Sequence, residues 1–182
     1  MDILPSIPTL QEYHNFVDKS SFYGIQNGKN ILSNLFVALP AFYLIYREQK
    51  ISFLSINILL LAITSAYYHV NPSHNTIFMD MIFVISLNTI ILSYFVDTDI
   101  GFWMYIMGIV SVFYWKLYDN ILPYEFLKIM IPMYGLYCLY GTKASNYIIP
   151  FLCLTILIRY SEYNDKKIYK ATNKLISGHS LK

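Results

Sequence analysis

Charge is what this sequence lacks most. Only 13% of its 182 residues are Asp, Glu, Lys or Arg, about half the share found in a soluble globule. Hydrophobic residues reach 56% and the mean hydropathy is +0.44. So little charge cannot cover the surface of a water-soluble domain, and so apolar a chain does not stay disordered. The chain belongs in a membrane. Its net charge of +2 is too small to imply a nucleic-acid partner, and no arginine-rich patch or RNA-binding aromatic motif is present. Cysteine is scarce as well: Cys138 and Cys153 lie in apolar stretches and read as small core residues, not as a disulfide framework. A cleavable leader is also missing. Residues 1–30 carry Pro5, Pro8, Glu12, Asp18, Lys19 and Lys29 with no apolar core of the needed length, so insertion is expected to begin with a retained helix.

What the sequence does have is aromatic residues and long uncharged runs. Eighteen Tyr, twelve Phe and two Trp are present; those at span ends anchor at the interface, and the rest are packing. A spanning helix needs about 20 mostly apolar residues. Candidate spans cover 30–46, 51–69, 77–96, 100–115, 122–141 and 144–158, separated by short links such as Arg47 to Lys50 and the Asn71, Pro72, Ser73 loop. Beyond Ile158 comes a polar, mostly basic stretch, and 175–181 resembles the start of a seventh helix. In hydrocarbon the backbone must satisfy its own hydrogen bonds. The expected fold is therefore an all-α integral membrane bundle, a single domain over 30–182 preceded by a non-spanning segment, 1–29.

Lys and Arg in short loops set orientation. Lys19, Lys29, Lys116, Arg159, Lys166, Lys167, Lys170 and Lys174 fall on the side of the N-terminus, against Arg47, Lys50 and Lys143 opposite. Eight against three predicts a cytosolic N-terminus.

Ionisable groups inside apolar spans are costly and by default mark function. Ser65 and His69 are four residues apart, hence on one face of the second helix near its exit. Asp80 follows eleven residues after His69, near the entry of the third helix. A tight link between antiparallel helices puts all three at one membrane depth, on the same side as His179. A lone His at a helix end commonly snorkels, and a lone Ser often bonds its own backbone. Asp80 is different, because a carboxylate with no cation in its own helix needs a partner. Two imidazoles and a carboxylate suit zinc. A carboxylate beside the ion can deprotonate its water, whose pKa falls to about 7, and a serine hydroxyl can stabilise an oxyanion.

Ser65-x-x-x-His69, Asp80 and the His179 segment resemble the alkaline ceramidase family, within a superfamily that also holds the progestin and adiponectin receptors. That signature is a Ser-x-x-x-His on the second helix, an Asp opening the third and a His-x-x-x-His on the seventh. Tyr23 to Asn27, Asn30 with Asn34, Trp115 with Asp119, Pro123 with Tyr124, and Glu162 with Asp165 look like its bacterial-type branch. The resemblance implies a seven-helix zinc hydrolase acting on the amide bond of ceramide-like lipids. His69 and His179 would be zinc ligands, Asp80 would reach the ion through the water it activates, and Ser65 would support the site. Some members add a calcium site of acidic residues before the first helix. Asp18 stands where that motif would begin, but Asn27 occupies an expected acidic position, so calcium is not implied.

The resemblance is incomplete at one point. The second histidine of the last motif would fall one position beyond Lys182, so this stretch supplies two of three expected histidines; His74, in the loop after His69, is the only nearby substitute. A shortened enzyme and an inactive product both match that pattern. The alternatives are a receptor-like or scaffold protein keeping the metal for structure, and a channel or transporter using Asp80 and His69 as a proton relay. The few residues before the first helix weigh against the receptor. The clustering of polar groups at one end weighs against the transporter. The sequence does not specify acyl length, sphingoid base, host membrane or oligomeric state.

Overall fold

The computed structural model describes residues 21–22, 24–143 and 145–174. Apart from a two-residue hairpin, β1 (Ser21–Phe22) against β2 (Ile25–Gln26), the fold is helical. Five helices run in sequence: α1 (Gly28–Glu48), α2 (Phe53–Val70), α3 (His74–Ser93), α4 (Thr98–Tyr118) and α5 (Leu122–Leu139). Each packs on the next, and α3 also touches α5, which makes α3 the central helix. A 3-10 turn (Ser145–Tyr147) then leads into α6 (Ile148–Tyr163) and α7 (Asp165–Ala171). Among the described residues, α6 makes its main contacts with these two sequence neighbours.

The helix starts are written in side chains. Ser52 caps α2: its hydroxyl accepts from the Ser55 N–H while Ser55 Oγ accepts from the Ser52 N–H at 3.0 Å. Ser73 and Thr76 repeat this device at the head of α3, with 3.2 Å and 3.1 Å bonds. Such reciprocal capping satisfies two amide groups that no helical carbonyl can reach. Asp97 caps α4, and Asn120 Oδ1 accepts from the Leu122 N–H to start α5. These caps explain why the links are short and why α3 begins at His74, three residues ahead of the expected 77. His74 is thus not a loop residue; it is the first residue of α3, with its ring stacked 5.8 Å from that of Trp115.

Among the described residues, four helices, α1 to α4, are long and apolar enough to cross a membrane by length and composition. Six were expected. α5 carries Glu125 and Lys128 in its first turns, paired with each other. α6 has 16 residues, about 24 Å of helix against a hydrocarbon core of about 30 Å. It nevertheless runs five residues past the expected end at Ile158, and α7 follows within the segment read as merely polar. The stretch 175–181, expected to open another helix, lies outside the described residues.

Large apolar side chains point outward, among them Phe36, Phe42, Trp103, Val110 and Ile156. The interior holds Ile77, Met81, Ile85, Val112, Trp115 and Ile131 together with many small polar groups. An apolar exterior over a partly polar interior is what lipid as solvent permits. α3 and α4 approach closely at Gly108, where a Cβ would meet Ile85 Cγ1 at 2.7 Å.

Candidate functional site

The end of the bundle where α2 passes into α3 gathers most of the chemistry. His69 is the penultimate residue of α2 and is 4% exposed, with Nδ1 shut off from solvent. It does not snorkel. Ser65 lies one turn earlier and is half-buried. Asp80 is the seventh residue of α3, half-buried overall, with Oδ1 also shut off from solvent.

The three do not share one depth. Counting 1.5 Å per residue, His69 sits at the mouth, while Ser65 and Asp80 lie about 7–9 Å inside. Side chains lean toward the N-terminus of their own helix. The His69 ring therefore leans inward along α2 and the Asp80 carboxyl outward along α3, which narrows the offset. A buried imidazole and a dry carboxylate oxygen on adjacent helices are donor types that a zinc ion can use. Among the described residues, no three His, Cys, Asp or Glu side chains gather in the manner of a complete metal site. His179, the further imidazole expected from the sequence, and Asp18, named for calcium, both lie outside the described residues.

From sequence, Asn27, Asn30 and Asn34 enter only as part of a resemblance, with no role given to the polar shell that they form around this end. Asn27, Asn30 and Asn34 are 7%, 0% and 7% exposed. Asn27 Nδ2 donates to the backbone carbonyl of His69 at 2.9 Å, and Asn34 Nδ2 donates to the Asn30 carbonyl at 2.8 Å. An amide that donates to a carbonyl is doing what no carboxylate can, so Asn27 serves this structure as a staple. Lys29 Nζ donates to the carbonyl of Lys174 at 2.6 Å, tying the first turn of α1 to the chain just beyond α7. Ser161 and Asn164, at the end of α6, are also buried. On the far side of the mouth, Lys116 Nζ bonds Asn75 Oδ1 at 2.6 Å and joins α4 to α3. The signal was available: asparagines at 27, 30 and 34 follow helical spacing on one face, where no lipid-facing helix would carry them.

The opposite end differs. Between α3 and α5 lies a groove of about 290 Å³, lined by Asn88, Leu92, Phe95, Ile131, Pro132 and Tyr147 among others. Asn88 is the one lining side chain that is neither apolar nor aromatic.

No family model matches the chain, and no curated protein and no solved structure matches it.

Proposed function

We propose that this chain is a multi-pass membrane amidohydrolase, zinc-dependent and related to the alkaline ceramidases, that splits ceramide-like lipids into a sphingoid base and a fatty acid. The observation that carries this reading is that His69 and Asp80 Oδ1 are both withdrawn from solvent. A buried imidazole and a dry carboxylate oxygen sit on consecutive helices at one end of a bundle with an apolar exterior. Ionisable groups are expensive there and are retained for chemistry. The tie between Lys29 and Lys174 adds support, because it holds the chain five residues before His179 against the helix that is stapled to His69. The excess of Lys and Arg on the N-terminal side supports a cytosolic N-terminus.

In this mechanism His69 and His179 would hold the metal. Zinc, when bound, would polarise the amide carbonyl and make water acidic enough to attack near neutral pH. Asp80 accepts the proton of the attacking water and passes it to the departing amine. The new C–O bond forms, the C–N bond breaks, and the acyl chain leaves as a carboxylate. The Ser65 hydroxyl donates a hydrogen bond to the oxygen that gains charge as the carbonyl becomes tetrahedral. The lipid tails remain among the apolar helices.

The test is fatty-acid release from a labelled ceramide together with metal content. His69→Ala is expected to lose both bound zinc and turnover while inserting normally. Turnover at the wild-type rate in that variant removes the assignment.

A further inference from the structure

We propose that Asn27 is a positioning residue for His69. Its side-chain amide holds the carbonyl of His69 and thereby sets the last turn of α2, from which the imidazole projects. The catalytic consequence rests on the amidohydrolase reading; the mechanical one does not.

The last carbonyls of a helix have no donor of their own. At the end of α2, the Tyr67 carbonyl takes the Asn71 N–H at 2.9 Å. The His69 carbonyl takes Asn27 Nδ2, from 42 residues away, at the same distance. Both residues are more than nine-tenths buried, so water cannot replace the bond, and losing it strands a dry carbonyl. Asn27 also has φ 61 and ψ 32, a left-handed conformation that suits Asn and Gly and few other residues. The position therefore asks for a backbone that tolerates this region and a side chain that donates. Asn meets both demands, Gly only the first, and Asp offers an acceptor where a donor is needed. Two residues on, Lys29 grips the Lys174 carbonyl. One turn of α1 thus holds the segments that supply His69 and lead to His179.

The experiment uses full-length Asn27→Gly and Asn27→Asp beside the wild type in detergent, with three readouts. These are zinc affinity by chelator competition, kcat and KM on a labelled ceramide, and the rate at which diethyl pyrocarbonate modifies His69, read by mass spectrometry. Support around a ligand is typically worth 10–100-fold in metal affinity. Both variants should bind zinc roughly tenfold more weakly and lose kcat by a similar factor, with KM held within about twofold. His69 should be modified several-fold faster. An unchanged His69 modification rate in either folded variant overturns the proposal. A wild type that binds no zinc removes the amidohydrolase reading instead, and the modification rates still decide the role of Asn27. Should neither variant fold, the wild type answers alone. Side-chain amide protons of Asn27 that exchange far more slowly than those of exposed Asn173 support the staple, and equal rates overturn it.

Discussion

The two ends of this bundle are built on different rules. At the end where α2 meets α3, polar side chains bond across elements: the buried Asn27 to the His69 carbonyl, and the more exposed Lys29 to the Lys174 carbonyl and Lys116 to Asn75. At the other end, polar residues serve their own helices. Ser52 and Ser55 close the start of α2, Asp97 caps α4, and the space between α3 and α5 is an apolar groove. Helices are capped by side chains at both ends, but the buried amide of Asn27 fixes one segment against another at the end that carries His69. Groups that must hold a geometry need that support. Groups that only end a helix do not.

This contrast can be broken most severely at Asp80. Asp80→Asn keeps the shape and removes the proposed base; on the amidohydrolase reading, turnover of labelled ceramide should fall at least about 100-fold, whereas Asn88→Leu in the far groove should leave it within about twofold of wild type. A loss of equal size from both variants would erase the distinction between the ends. The next effect is structural and falls between them. Gly108→Ala drives a methyl against Ile85 and should cost about 1–3 kcal/mol of stability, read as a lower unfolding temperature in detergent. Adding Ile85→Ala to it should recover part of that loss. A smaller effect sharpens the comparison directly. Ser73→Ala and Ser52→Ala each remove a cap worth about 1 kcal/mol, so their unfolding temperatures should match. Only Ser73→Ala, at the head of the helix that carries Asp80, should also slow turnover. The smallest belongs to α5. Lys128→Met breaks the ion pair with Glu125 and should shift stability by no more than about 0.5 kcal/mol.

Much of the architecture was legible because hydropathy runs report where helices can exist. The expected 30–46 became Gly28–Glu48, and 51–69 became Phe53–Val70. Errors gathered where capping chemistry or charge overrides hydropathy. Ser73 and Thr76 start α3 earlier than its apolar run does, and α6 continues through the charged residues after Ile158 because a helix end outside hydrocarbon tolerates them. The placement of Ser65, His69 and Asp80 on consecutive helices followed from their spacing of four and eleven. Their offset in depth did not, since it depends on where the caps fall. The asparagine shell went unassigned because each amide looks unremarkable alone; its role depends on a partner 42 residues away, the His69 carbonyl.

The link between α2 and α3 is only three residues long, Asn71 to Ser73. Three residues extend at most about 11 Å, far short of the hydrocarbon thickness. Wherever α2 delivers its final turn, α3 must therefore re-enter from the same leaflet. Recoding the flanking basic residues to invert the protein would carry His69 and Asp80 across together, on the same side of the membrane as each other but toward the other compartment.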